Sequence, residues 1–159
     1  MAWPQFGDPE TGRTYRDRPA AFGIVELSGL IAVVRVEKPG HPAWHDLPGG
    51  ALDPGETAQQ AVVREFGEEA GLKVEPGRAF AEAAQYFVNT DGETFNNLGT
   101  FFELELEAVD EALKCEADHT LVWMKPQVAV TALRHDAHAW AVAAWLRLRA
   151  RASEASSAA

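Results

Sequence analysis

Three glutamates in one short stretch are the residues of this chain best placed to do chemistry. In Arg64-Glu65-Phe66-Gly67-Glu68-Glu69 a helix puts Glu65, Glu68 and Glu69 at i, i+3 and i+4, on one narrow face. Carboxylates so close repel one another, and Arg64, one turn before Glu68, offsets only part of that. Such a face is either a solvated charged surface or a site for a hard divalent cation, which takes oxygen ligands. The five histidines (His41, His45, His119, His135, His138) and the single cysteine, Cys115, match no zinc pattern. His135 and His138, at i, i+3 near the start of the last helix, read as surface residues.

The helix that holds the glutamates spans residues 57–70. Thr57 is its N-cap and Gln60 the capping-box partner. Val62, Phe66 and Ala70 form its buried stripe, and Gly71 supplies the left-handed stop. Pro48-Gly49-Gly50 and Asp53-Pro54-Gly55 punctuate the loop before it. Strands are expected at 21–27 and 30–36, joined at Ser28-Gly29, with a short one at 44–47. Two more, at 79–88 and 98–106, flank the turn Asn89-Thr90-Asp91-Gly92. A last strand at 120–124 is closed by Pro126. A second helix spans 136–149, with Trp140, Ala144 and Leu148 on one stripe. Residues 1–151 read as a single domain, 1–19 as an extended N-terminal arm and 152–159 as a disordered tail. This mixed order of strands and helices indicates a layered α/β or α+β fold.

From Gly50 the chain reads GALDPGETAQQAVVREFGEEAGL. Gly50, Glu56, Arg64, Glu65, Phe66, Glu68, Glu69, Gly71 and Leu72 match the Nudix box position for position. Chance agreement in a chain this long is on the order of 1 in 10 million. The protein therefore resembles the MutT-like Nudix hydrolases. The resemblance implies an α/β/α Nudix fold, a mixed β-sheet sandwiched between helices. It implies hydrolysis of a nucleoside diphosphate linked to another group, by water attack on phosphorus with Mg²⁺ or Mn²⁺. It makes Glu65, Glu68, Glu69 and the Gly49 carbonyl the metal ligands, and has Arg64 hold the glutamates in place. Gly50, Glu56 and Gly71 shape the box. The general base is Glu65 or a carboxylate before the last strand, Glu116 or Asp118.

Arg18, Tyr86, Phe95 and Asn97 are the candidate substrate contacts: a cation for phosphate, rings for stacking, an amide for a base edge. The substrate expected is a nucleoside triphosphate, with dinucleoside polyphosphates, nucleotide sugars and ADP-ribose as rivals. The rival class is a Nudix-fold module that senses a nucleotide without cleaving it. Such modules usually lose box carboxylates, and all three are present here.

The 159 residues carry 14 Lys and Arg against 24 Asp and Glu, a formal charge of −10, which disfavours long nucleic acids. One thiol and no apolar run long enough to span a bilayer fit a cytoplasmic protein. A homodimer reached through the arm is an expectation by analogy only.

Overall fold

The computed structural model describes residues 2–158; Met1 and Ala159, the outermost residues of the expected arm and tail, lie outside the described residues. The elements run β1 (Gln5–Phe6), β2 (Arg16–Leu27), β3 (Leu30–Val36), β4 (Trp44–Asp46), β5 (Gly49–Ala51), α1 (Ala58–Ala70), β6 (Leu72–Val88) and β7 (Thr94–Val109). A 3₁₀ turn (Glu111–Leu113), β8 (His119–Met124), α2 (Pro126–Ala132) and α3 (Asp136–Ser157) follow.

The sheet order is β1-β6-β7-β2-β3-β4, with β5 on β2 and β8 on β3. β2 and β3 pair only at their hairpin root, Glu26 with Ile31 and Leu27 with Leu30. Beyond that they part, and β2 takes β5 instead, pairing Ala20, Ala21 and Phe22 with Ala51, Gly50 and Gly49. On its other side β2 runs parallel to β7, from Arg16 opposite Phe95 to Val25 opposite Leu104. The site lies where the two halves of the sheet diverge.

Strand alternation sends β2 into two cores. Ala20, Phe22 and Ile24 pack with Ala137, Ala141, Val142 and Trp145 of α3. Ala21 and Val25 pack with Ala61, Val62 and Phe66 of α1. Each large side chain so buried contributes about 1.5–3 kcal/mol. The sheet is thus held between α1 on one face and α3 on the other, the α/β/α sandwich expected from the sequence.

Several boundaries differ from the sequence reading. β2 begins at Arg16, and β6 and β7 each extend well beyond 79–88 and 98–106. The arm is extended but pinned: β1 pairs with Ala84 and Gln85 of β6, and Arg13 Nη2 donates to the Gly92 carbonyl at 2.6 Å. Pro126 does not merely close β8; it opens α2 at N1, where its missing N–H costs nothing. α3 runs through Ser157, past the expected end at 149 and through most of the segment read as a disordered tail. Its last turns hold Ala, Arg and Glu, good helix formers, with no Gly or Pro to stop them. Its buried face is Ala137, His138, Ala141, Val142 and Trp145, not Trp140, Ala144 and Leu148; Leu148 is 44% exposed. The true stripe is rotated by one residue from the expected one.

Candidate active site

α1 is built as its sequence requires. Gln60 N–H donates to Thr57 Oγ1 at 3.1 Å, and Thr57 N–H donates to Gln60 Oε1 at 2.9 Å. Gly71 closes the helix at φ 65°, and Val62 and Phe66 are fully buried. With that face turned inward, Glu65, Glu68 and Glu69 turn toward the loop that carries β5.

The loop meets them through Gly49 and Gly50. Pro48 O accepts from Gly23 N–H, and Leu52 N–H donates to Pro19 O. With Phe22 opposite Gly49, this alternation points the Gly49 N–H and C=O away from β2. The N–H donates to Glu69 Oε1 at 2.8 Å, and the carbonyl lies on the same side. Gly49 has φ 146°, and a Cβ there would sit 2.2 Å from Ala21 O. A Cβ on Gly50 would sit 2.8 Å from Glu65 Oε1. Only glycine lets the loop close so tightly on the carboxylates.

Arg64 anchors the arrangement. Its Nε and Nη2 donate to the two Glu56 oxygens at 2.8 and 2.9 Å. Nη1 reaches Glu65 Oε1 and Glu68 Oε2, both at 3.1 Å, and Nη2 also donates to Ala51 O at 3.2 Å. The Arg64 hydrogen bonds hold the Glu56 carboxyl down at about 2. Glu65 goes the other way. Burial and the charge of Glu69 push its carboxyl up to about 7, against the pull of Arg64. The face carries more negative charge than Arg64 alone balances.

The segment before β8 completes the face. The Glu68 carbonyl accepts from the backbone N–H of Cys115 and of Glu116, each at 3.0 Å. The carboxylates of Glu68 and Glu116 and the Cys115 thiol thereby come within 4.8 Å of one another. His119 Nε2 lies 2.8 Å from Glu69 Oε2, and Nδ1 lies 2.7 Å from Asp118 Oδ1. Burial alone would lower its pKa, but the two carboxylates raise it to about 9. Lys38, hydrogen-bonded to Asp118, holds that carboxyl at about 2.

Beside Glu69 and Gly49 lies a cavity of about 150 Å³, walled also by Arg18, Trp44, Phe87, Asn97, His135 and His138. A larger groove of about 850 Å³ runs under the end of α3, lined by Glu26, Glu103, Trp145 and Arg149, with no box residue. Chemistry, not size, singles out the smaller one.

Of the four candidate substrate contacts, two line the cavity. Arg18 Nε donates to Asn97 Oδ1 at 2.9 Å, and its guanidinium lies 4.2 Å from the Phe95 ring centroid. Phe95 is buried beneath that guanidinium and does not line the cavity. Tyr86 is a correction. Alternation along β6 turns it to the face opposite Phe87, where it meets Tyr15 of the arm edge-on at 5.3 Å. His135 and His138 are a second correction: they are 7% and 2% exposed, not surface residues. His119, Trp44, Lys38 and Arg134 also stand at the site unanticipated. Arg134 forks onto Asp46 at 3.2 and 2.8 Å and covers the Trp44 ring at 4.3 Å. No spacing along the chain announces any of these; tertiary pairing brings them together.

Residues 16–146 match the family model described as the NUDIX domain. A candidate 8-oxo-dGTP diphosphatase of Bacillus subtilis is 49% identical over 51 residues, 32% of this chain and 33% of that protein. An RNA pyrophosphohydrolase of Legionella pneumophila is 46% identical over 50 residues, 31% of this chain and 28% of that one. The chain thus spans a third or less of the length of these curated relatives. A solved NUDIX hydrolase from Nitrosomonas europaea superposes with a TM-score of 0.70 at 18% identity, covering 83% of this chain and 90% of that one. With most of its length matched by the family model, this chain belongs to the NUDIX domain family.

Proposed function

We propose that this chain is a divalent-cation-dependent pyrophosphohydrolase. It splits the diphosphate linkage of a nucleoside triphosphate, or of another nucleoside diphosphate derivative, by attack of water on phosphorus. The observation that carries the reading is the gathering of Glu65 and Glu68 on Arg64 and of Glu69 on the Gly49 peptide, with Glu69 and Gly49 lining the adjacent cavity. The names of two relatives, a candidate 8-oxo-dGTP diphosphatase and an RNA pyrophosphohydrolase, support the same reaction class.

The donor set fits Mg²⁺ or Mn²⁺. It is made of carboxylate and carbonyl oxygens, which hard cations take. Burial first, and then the charge of Glu69, disfavours the ionised form of Glu65, and a cation held there would offset both. When bound, such a cation neutralises phosphate charge and makes water a better nucleophile. The protein's own work is positioning. Arg64 fixes the rotamers of Glu56, Glu65 and Glu68, and Gly49 N–H with His119 fixes Glu69. Glu65 takes the proton as the water oxygen bonds to phosphorus and the bridging P–O bond breaks. Glu116, the alternative, stands across Glu68 from Glu65.

The test is release of phosphate and pyrophosphate from nucleoside triphosphates, dinucleoside polyphosphates, ADP-ribose and nucleotide sugars, with Mg²⁺, Mn²⁺ or chelator. Release should need the cation, and Glu68→Gln should abolish it with an unchanged circular dichroism spectrum. Folded protein that binds nucleotide and cation yet releases nothing would make it a sensing module instead.

A further inference from the structure

Of the three carboxylates on α1, Glu69 has the least exposed side chain, 8% against 15% for Glu65 and 33% for Glu68. Arg64 holds Glu65 and Glu68. Glu69 is held from elsewhere. Gly49 N–H donates to its Oε1 at 2.8 Å, and His119 Nε2 lies 2.8 Å from its Oε2. The other ring nitrogen of His119, Nδ1, lies 2.7 Å from Asp118 Oδ1. An ionised carboxylate only accepts, so a ring set between two of them donates from both nitrogens. Asp118 Oδ2 in turn accepts from Lys38 Nζ. A continuous chain of hydrogen bonds therefore runs from Lys38 through Asp118 and His119 to Glu69 and ends on the Gly49 peptide.

Backbone pairing fixes the members of that chain. β8 runs antiparallel to β3 with His119 opposite Val36, and Glu37 N–H donates to Asp118 O at 2.9 Å. His119 N–H donates to Glu116 O at 3.2 Å. Val36 is 2% exposed, so burial of β3 in the core sets the register. Lys38, just past the end of β3, is thereby brought beside Asp118. Three parts of the fold converge on one carboxylate. α1 carries Glu69, the loop at Gly49 takes one oxygen, and the β3–β8 pair takes the other. Asp118, one of the carboxylates considered for the general base, is turned to another task. Each of its oxygens already serves a cationic donor, which makes it a poor acceptor for a proton from water.

We propose that His119 and Asp118 are positioning residues: His119 holds Glu69 in the orientation in which it ligates the divalent cation, and Asp118, steadied by Lys38, holds His119. Asp118 is then not the general base. The proposal rests on the hydrolase reading only in placing a cation at Glu69. Hydrogen bonds behind a ligand fix its rotamer before the cation arrives, and losing them costs about 10–100-fold in cation affinity. A ring that merely cancelled the charge of Glu69 would compete with the cation, and its removal would tighten binding. A ring that orients Glu69 has the opposite sign, so its removal weakens binding.

Calorimetric binding of Mn²⁺ to the nucleotide-free protein reads this without turnover. His119→Ala should weaken binding about 10–100-fold. His119→Gln, whose amide NH₂ reaches toward Glu69 Oε2, should regain most of that loss. Tighter or unchanged binding in His119→Ala overturns the positioning role. So does a loss that glutamine leaves unrestored, since the ring would then be a ligand itself. Asp118→Asn keeps an acceptor for the His119 Nδ1–H and should lower kcat with Mg²⁺ by less than about tenfold. A general base so changed loses about 10²–10⁴, and a loss of that size overturns the assignment of Asp118. Cation binding that falls in His119→Ala and returns in His119→Gln, in a protein that hydrolyses nothing, keeps the positioning chain and overturns the hydrolase. Cation-dependent hydrolysis with binding indifferent to His119 keeps the hydrolase and overturns the chain.

Discussion

The carboxylate face of α1 and the cavity wall beside it touch at Glu69, yet they are assembled in opposite ways. The face comes from one helix turn and the loop before it, and it is overcharged: Glu65, Glu68 and Glu69 outweigh Arg64. The wall comes from β2, β4, β6, β7, the loop after β3 and the start of α3, and it sets Arg18, Lys38 and Arg134 around the neutral rings of His135 and His138. The first gathers anions around a single arginine; the second gathers cations around two neutral rings. A charged site can be written locally, because repulsion is set by residues a helix turn apart. A neutral hydrogen-bonding site needs surroundings that exclude water, and only distant segments packed together supply those.

The sharpest way to break this comparison is kinetic. Glu65→Gln should lower kcat by about 10²–10⁴ with little change in KM, the usual loss for a positioned general base. Glu116→Gln should cost no more than about tenfold. The reverse order would move the base to the segment before β8. Wall variants should act on KM instead, so a wall variant that lowers kcat alone would erase the division of labour. Next in size is Arg64→Met. It leaves Glu56, Glu65 and Glu68 without their counter-charge, and should destabilise the cation-free protein by about 2–3 kcal/mol in urea unfolding. That is less than the roughly 3–5 kcal/mol of a fully buried pair, because Arg64 keeps 24% of its side chain exposed.

What the sequence disclosed follows the same divide. Thr57, Gln60, Val62, Phe66 and Gly71 carry their structural roles in their spacing, and the observed helix uses each one as read. Arg64 and the three glutamates were legible for the same reason. His135 and His138 were not. Their burial depends on Phe22, Phe87 and Phe101 from three other strands closing around them, at ring separations of 4.3, 5.2 and 5.8 Å. His119 gave no signal because its partner Glu69 lies fifty residues earlier. Tyr86 was misread because a strand shows which residues alternate but not which face meets the site. The α3 tail was misread because Ser and Ala suggest disorder by composition while Ala favours helix by propensity.

The two regions should also respond to pH with opposite signs. Folding lowers His135 and His138 from 6.5 to about 3, so the unfolded chain binds more protons in that window. Their contribution is whole above 6.5 and lost as pH falls, by about 1.4 kcal/mol per pH unit for each ring. Folding raises Glu65 from 4.5 to about 7, so its contribution is whole below 4.5 and lost as pH climbs through 7. The trends oppose between 4.5 and 6.5. Below 4.5 Glu56 and Asp118 join the histidines, their stabilisation lost as pH falls toward 2. Urea unfolding of His138→Phe across pH 3.5–8 should therefore show a flatter acid limb than the parent. Mg²⁺ should raise Tm more at pH 8, where Glu65 is ionised, than at pH 5. An equal rise at both would detach Glu65 from the cation site.

The smallest effect asks whether the carboxylate face depends on the frame of its helix. Thr57→Ala removes one half of the capping box and should cost about 1 kcal/mol of stability. It should leave kcat unchanged. Glu56, the residue before it, is clamped to Arg64 by two hydrogen bonds and accepts Asp53 N–H at 2.9 Å, so the start of α1 is tied to the site by side chains as well as by its cap. The Glu65 and Glu68 rotamers answer to Arg64, seven residues inside the helix, where fraying of the first turn does not reach. If kcat falls in step with stability, the face is set by the helix terminus, and Arg64 loses its place as the residue that holds the carboxylates apart from the fortunes of the fold.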